Sequence, residues 1–318
     1  MLDIDEVQIF LAAAEAGSFS AAARRLQMSQ PAVSMQIRSL EKRLGGKLFS
    51  RAGRHIRLTE AGEALIPMAR ELVHLSTYAE ETIASLHGQI IGLLKLACST
   101  TAGKYLLPRL FAGFVARYPG VRVTCHVVSG ELALDLLRQG EAHIVITSLR
   151  EPYQDLEYRP FITEPVVLIA PPDHCWARRG LITVDELTQG RFIAREVTSG
   201  TQQAVIQALA EHDLPLSALN TVMTLGNSEA IQLAVAEGIG VAFVSRRAAA
   251  EGIASGRVAE VAVEGLAIVQ QLYLVRHAGR AATSAQAAFW EHVYGPENQA
   301  LLAQHEDQRR PPDRTEPM

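Results

Sequence analysis

Apolar residues at Val7, Phe10, Leu11 and Ala14 keep the three-and-four spacing of one helix face, and Gly17 closes that helix. Ser18 can cap a second helix that turns Phe19, Ala22, Ala23 and Leu26 inward. Ser29 can cap a third. Pro31 falls in its first turn, where the missing N–H costs little, and Val33, Ile37, Leu40 and Leu44 form its apolar stripe. After Gly45-Gly46 the stretch KLFSRAGRHIRLT reads as strand, glycine-containing turn and strand. Residues 1–59 are therefore expected to be three helices with a β-wing.

A longer helix is expected from Thr59 and Glu60 to about His87. Leu65, Met68, Leu72, Leu75, Ala79, Thr82 and Leu86 step by threes and fours, the seam of a coiled coil between two copies. A helix packed on its own domain would show the same stripe. Pro67 should kink this helix or leave its first turn loosely attached. Residues 60–88 thus read as a dimerising linker helix.

Beyond Gly92, short apolar strands such as LLKLACS, HIVITS, EPVVLIAP, VAFVSR and QLYLVRH alternate with helical stretches such as ELALDLLRQGE, VIQALAEHD and AIQLAVAEG. That order implies mainly parallel sheets covered on both faces. Residues 89–295 are long enough for two lobes with a cleft between them. The stretch 296–318, with EDQRRPPDRTEP, has the charged, proline-containing composition of a disordered tail.

The overall charge of −4 decides little, but its distribution does. Residues 1–60 hold nine Lys/Arg against six Asp/Glu, while the remainder holds 21 against 28. A small basic head on an acidic body suits one module that meets a polyanion and one that does not. Cys98, Cys125 and Cys175 lie far apart, which fits a reduced, intracellular protein; Cys98 reads as a core residue with no partner near it in sequence. No run approaches the roughly 20 apolar residues that cross a bilayer, so no membrane contact and a cytoplasmic location are expected.

On the third helix, Gln30, Ser34 and Arg38 recur every four residues opposite the apolar stripe, with Met35 beside them. Glutamine and serine can bond base edges, methionine can touch a thymine methyl, and arginine can bind guanine or phosphate. Arg51, Arg54, His55 and Arg57 on the wing could meet phosphate or the minor groove. A solvated polar face would carry the same residues.

At this point the stretch from Phe10 to Leu65, with its SQPAVS step and LTEAG exit, resembles the winged helix-turn-helix of the LysR-type transcriptional regulators. The likeness in layout extends over residues 1–295. It implies a multidomain fold: an all-α-rich winged helix-turn-helix, a linker helix, and a two-lobed α/β effector domain like that of periplasmic binding proteins. It also implies a homodimer or homotetramer on dyad double-stranded operator DNA, answering to a small-molecule effector, and leaves contacts with the transcription machinery open. By motif position, Ser29, Gln30, Pro31, Ser34, Met35 and Arg38 belong to the recognition helix and its cap, and Arg51, Arg54 and Thr59 to the wing and the linker-helix start. Met35 is apolar where many members of that family carry a polar residue.

In the larger part, hydroxyl-rich turns follow expected strands: Ser99, Thr100 and Thr101; Ser129 and Gly130; Thr147 and Ser148; Thr198, Ser199, Gly200 and Thr201; Asn227 and Ser228. Such turns offer free N–H groups, hydroxyls and the positive end of a helix, suited to a carboxylate or other oxyanion. Plain helix capping would use the same residues. The resemblance implies that the Ser99–Thr101 turn lines the effector cleft.

No catalytic residue, metal ligand or cofactor is expected. GIGVAF, from Gly238 to Phe243, lacks the third glycine of a dinucleotide loop, no G-x-S-x-G or H-E-x-x-H occurs, and the histidines do not cluster. The expected function is a ligand-responsive DNA-binding regulator rather than an enzyme. The rival is a cytoplasmic small-molecule-binding protein or enzyme whose N-terminal helices contact only protein.

Overall fold

The computed structural model describes residues 2–52 and 55–303. The chain divides into two compact units: one runs through Ile91 and takes in Ala281–Ser284, and the other is built from Gly92–Arg280 and resumes at Ala285.

In the first unit, α1 (Ile4–Ala16) starts at Asp3, whose carboxylate accepts from the Asp5 N–H at 2.9 Å. It stops at Gly17, whose φ of 59° would strain a side chain. α2 (Phe19–Arg25) follows, and α3 (Gln30–Leu44) is capped by Ser29, whose hydroxyl accepts from the Ala32 N–H at 3.3 Å. Ser18 has the extended backbone of a cap but makes no capping hydrogen bond. Val7, Phe10, Ala13, Ala22, Val33, Ile37 and Leu40 form the shared core. Each large apolar side chain buried there contributes roughly 1.5–3 kcal/mol. Leu44, expected in that stripe, is exposed at the last position of α3. β1 (Phe49–Ala52) and β2 (His55–Leu58) make the antiparallel wing, and Phe49 packs on Phe10 and Phe19 with ring centroids at 5.5 and 5.4 Å.

α4 (Glu60–Leu86) is one helix of 27 residues with Pro67 inside it. The loosened first turn expected before Pro67 is not seen, because that turn is fixed at three points. The Thr59 hydroxyl donates to the Lys47 carbonyl at 2.6 Å and accepts from the Gly62 N–H at 3.1 Å. Gly62 lies so close to the backbone just before β1 that a Cβ there would meet the Leu48 carbonyl oxygen at 2.3 Å. Leu65 and Ala69 are buried in the unit's own core. The outward stripe is thus Met68, Leu72, Leu75, Ala79, Ile83 and Leu86, with Leu65 withdrawn into the core and Ile83 presented rather than Thr82.

The second unit runs through β3 (Ile91–Cys98), a π-helical turn (Ala102–Leu106), α5 (Leu107–Arg117), β4 (Gly120–Val127), α6 (Gly130–Arg138) and β5 (Ile144–Thr147). It continues with β6 (Leu156–Ala170), α7 (Cys175–Arg179), β7 (Leu181–Ile182), β8 (Arg191–Arg195), α8 (Gly200–Ala210) and β9 (Asn220–Leu225). α9 (Ser228–Ala236), β10 (Ala242–Ser245), α10 (Arg246–Ala254), β11 (Ala259–Val263), β12 (Ile268–His277), α11 (Ser284–Val293) and α12 (Gln299–Ala303) complete it. One sheet has the order β4-β3-β5-β12-β6-β11-β7, with β10 also paired to β6; β8 and β9 form a second.

The expectation of mainly parallel sheets is overturned. β3–β5, β11–β7 and β8–β9 are parallel, but β10, β11 and β12 all run antiparallel to β6, and β12 also to β5. The cause is two long strands shared by both lobes: β6 leaves the first lobe and enters the second, and β12 returns. β6 supplies Leu156 to the first lobe's core with Ala97, Leu134 and Val145, and Val166 and Leu168 to the second lobe's core with Phe192, Phe243 and Val261. β12 does the same with Val275 and Ile268.

The disordered tail expected from residue 296 does not begin there. Pro296–Asn298 form a 3-10 turn, the buried Asn298 amide donates to the His292 carbonyl at 2.7 Å, and α12 follows. Residues 304–318 lie outside the described residues. Among the described residues, no helix is long and apolar enough to cross a membrane.

Candidate functional site

The solvent side of α3 carries Gln30, Pro31, Met35, Arg38 and Lys42, with Ser29 exposed just before it. Met35 is 64% exposed. Ser34, expected on the same face, is instead buried and accepts from the Gln30 side-chain amide at 2.7 Å. At about 100° per residue Ser34 sits at the edge of the buried arc, about 20° from buried Glu41 on one side and about 40° from exposed Arg38 on the other. Lys42, one turn beyond Arg38, was not picked out by the four-residue pattern.

Charge around this helix is partly neutralised. Arg25 pairs with Glu15, Arg43 with Glu6 at 3.2 Å, and Lys47 with Glu41 at 2.6 Å. Burial raises the Glu41 carboxyl, but Lys47 and the N–H groups of Leu48 and Phe49 outweigh it and hold it below the usual range. Among the described residues, no ion pair engages Arg38 or Lys42. On the wing, His55 and Arg57 are exposed, and Arg51 lies on β1 opposite Ile56. Arg54 lies outside the described residues. Thr59 is half-buried, with its hydroxyl committed to the α4 cap.

In the second unit, a cavity of ≈ 340 Å³ opens where strand ends of both lobes meet the starts of α6 and α8. Ser99, Gly130, Thr147, Ser148, Thr198 and Gly200, all expected from sequence, line it. Thr163, Gln203, Gln207, Gln270, Gln271, Tyr273 and Arg150 line it as well, and sequence reasoning missed them. The lining offers many hydroxyls and amides, one guanidinium and no carboxylate among the described residues. The Ser99 hydroxyl is shut off from bulk solvent and has no hydrogen-bond partner. Thr163 donates to the Gln271 side chain at 2.9 Å, and Arg150 lies over the Tyr273 ring at 5.6 Å. Gly200 is a close-approach point. A Cβ on it would fall 1.8 Å from the Ser148 hydroxyl and 2.5 Å from the Gln270 amide nitrogen.

The other hydroxyl and amide candidates do not line the cavity. Ser129 caps α6, accepting from the Leu132 N–H at 3.4 Å, and Asn227 caps α9, accepting from Glu229 and Ala230 at 2.8 and 3.2 Å. Thr201 is buried and donates to the Gln270 side chain at 3.1 Å, and Ser228 is held by Arg195 at 2.8 Å. Ser199 and Thr101 are buried, and Thr100 is half-buried in the turn before α5. A polar tie crosses between the lobes: the Lys104 ammonium and the Tyr105 hydroxyl both reach Glu229 Oε1 at 2.8 Å. Lys104 chiefly holds the Glu229 carboxyl below its usual range. Lys104 and Tyr105 sit in the π-helical turn, a distortion that often accompanies a functional site.

Comparison with known proteins fits both units. The profile of the "Bacterial regulatory helix-turn-helix protein, lysR family" matches residues 4–63, and that of the "LysR substrate binding domain" matches residues 87–295. The chain belongs to the LysR family of transcriptional regulators. It is 32% identical to the RuBisCO operon transcriptional regulator of Allochromatium vinosum, over 92% of this chain and 95% of that one. The Synechocystis CcmR regulatory domain, solved in complex with 2-PG, is 30% identical, with a TM-score of 0.59 over 66% of this chain and 97% of that one. Full-length CbnR, solved in complex with its target DNA, shares the fold at 21% identity, with a TM-score of 0.65 over 92% of this chain and 99% of that one.

As a LysR-type regulator, the protein carries a DNA-binding helix-turn-helix unit and a two-lobed effector-binding domain. The cavity between strand ends and helix starts lies within the latter. Cys98, read from sequence as a core residue without a partner, is buried as expected, yet its sulfur lies 3.5 Å from that of Cys125.

Proposed function

We propose that this LysR-type regulator reads operator DNA with the exposed side of α3 and binds a small anionic effector in the cleft. Gln30, Met35, Arg38 and Lys42 face the bases and nearby phosphates, and Arg51, Arg54, His55 and Arg57 meet the backbone from the wing. Two copies pair through Met68, Leu72, Leu75, Ala79, Ile83 and Leu86 of α4, giving a dimer or a dimer of dimers. The protein acts in the cytoplasm as a switch and not as an enzyme.

The observation that carries the anion is the composition of the cleft. The starts of α6 and α8, the Arg150 guanidinium and the unpartnered Ser99 hydroxyl converge with no opposing carboxylate among the described residues. The 2-PG ligand of the CcmR domain makes that compound the first probe. Calorimetry on the full chain should give saturable heat with 2-PG, and none with neutral sugars of similar size. Equal binding of neutral compounds would overturn the anion assignment. For DNA, a gel shift should show sequence-selective binding that weakens steeply with salt. Its absence would favour the rival, a small-molecule-binding protein with a protein-contact head.

A further inference from the structure

β3 and β4 are neighbours in the large sheet, and their ends bring the sulfurs of Cys98 and Cys125 to 3.5 Å. The two residues lie 27 positions apart, so no short-range motif announces them. Both are free thiols with unlike surroundings: Cys98 is fully buried, whereas Cys125 is exposed. The two sulfurs are within hydrogen-bond distance, and this contact lowers the Cys125 thiol against the effect of its partial burial. The same contact and burial raise the Cys98 thiol. An accessible sulfur with a lowered thiol, 3.5 Å from a second sulfur in a buried position, is an arrangement in which oxidation can end in a disulfide.

We propose that Cys98 and Cys125 form a reversible thiol–disulfide couple in which Cys125 meets a hydroperoxide and Cys98 resolves the product. The Cys125 thiolate attacks the outer peroxide oxygen, the O–O bond breaks, and an alcohol or water leaves with a proton from solvent. Cys125 becomes a sulfenic acid. The Cys98 sulfur then attacks the Cys125 sulfur, the S–O bond breaks, and water leaves with the Cys98 proton. Each sulfur has given one electron, and the peroxide has taken two.

The couple adjoins the effector cleft without lining it. Cys98 directly precedes Ser99, and its carbonyl accepts from the Val128 N–H at 2.9 Å. The segment above it is tightly seated: a Cβ on Gly103 would lie 3.0 Å from the Cys98 sulfur and 2.8 Å from Val127. Closing the sulfurs to a bond of about 2.05 Å moves Cys125 on the edge strand β4, the end of β3, or both. A shift at β3 passes directly into the Ser99 turn, the route by which oxidation would reach the cleft wall.

The test uses the full-length chain, reduced and then treated with hydrogen peroxide, alkylated and mapped as peptides without reductant. The expected result is a Cys98–Cys125 cross-linked peptide that dithiothreitol reverses, with Cys175 still open to alkylation. Cys98→Ser should leave a Cys125 sulfenic acid that dimedone traps, and Cys125→Ser should slow oxidation of Cys98 about tenfold or more. A Cys125 that passes to sulfinic acid while Cys98 remains alkylatable would overturn the couple, as would a link only between two chains. Amide exchange over residues 99–106 should differ between the reduced and oxidised forms, and identical exchange there would overturn the connection to the cleft.

Discussion

On α3, Pro31, Met35, Arg38 and Lys42 reach solvent from one continuous helix, whereas the cleft takes Ser99, Thr147, Thr198 and Gln270 from four strands and turns far apart in sequence. The first surface survives as long as one helix stays packed on Val7, Phe10 and Ala22. The second exists only while two lobes hold their register through β6 and β12. A substitution on α3 should therefore act on one function alone, and a substitution at the lobe contact should act on binding and folding together.

Gly200→Val tests that difference most severely. Its Cβ would lie 1.8 Å from the Ser148 hydroxyl and 2.5 Å from the Gln270 amide, so these side chains or the lobe contact they make must shift. Loss of about 1–3 kcal/mol of stability and of 2-PG binding is expected, read by thermal unfolding and calorimetry; retention of both would show that the lobes tolerate separation. Arg38→Ala should weaken operator binding by roughly 1–3 kcal/mol in a salt-titrated gel shift, with 2-PG binding and unfolding temperature unchanged. A parallel fall in 2-PG affinity would contradict the independence of the two surfaces. Ser99→Ala should lower 2-PG affinity by about 0.5–1.5 kcal/mol, yet leave unfolding unaltered, because its hydroxyl has no partner in the folded chain.

The smallest effect contrasts two buried carboxylates. Lys47 and backbone N–H groups hold Glu41 in the first unit below the usual range despite its burial. Burial lifts Glu164, in the second unit, above that range against the Ser245 hydroxyl and Arg247. The signs are opposite. The Glu41 contribution is complete above the ordinary carboxylate value and is lost as pH falls through its lowered pKa. Glu164 binds its proton more tightly when folded, so stability falls as pH rises from the ordinary value through its raised pKa. Unfolding of Glu164→Gln followed across pH should lack that decline, and an unchanged profile would place the dependence elsewhere.

The sequence revealed these regions unequally, for physical reasons. Helix period is local, so α3 and its buried Val33, Ile37 and Leu40 were readable, while Ser34, at the edge of the buried arc, was misplaced because the period does not say how wide that arc is. In the cleft, residues at helix starts were visible as a class, but the class could not separate Ser99, Thr147 and Thr198, which line the cavity, from Ser129, Thr201 and Asn227, which serve caps and neighbours. Thr163, Gln270, Gln271 and Tyr273 were missed because they sit inside long strands, where nothing local marks which face meets a cavity. Strand direction was illegible too, since an apolar run reads the same in parallel and antiparallel sheets.

The pairing of β12 bears on how the chain is made. β12 lies between β5 and β6 at the middle of the sheet, and it is synthesised after the whole second lobe. Until the ribosome has passed His277, β5 and β6 have no strand to join them, so the first lobe waits for the second to emerge. The helix-turn-helix core, whose members all lie between Leu2 and Val73, has no such delay. A nascent chain stopped before residue 268 would thus carry a folded DNA-binding head on a body with its sheet cut through the centre. In that state it could occupy DNA while being deaf to any effector.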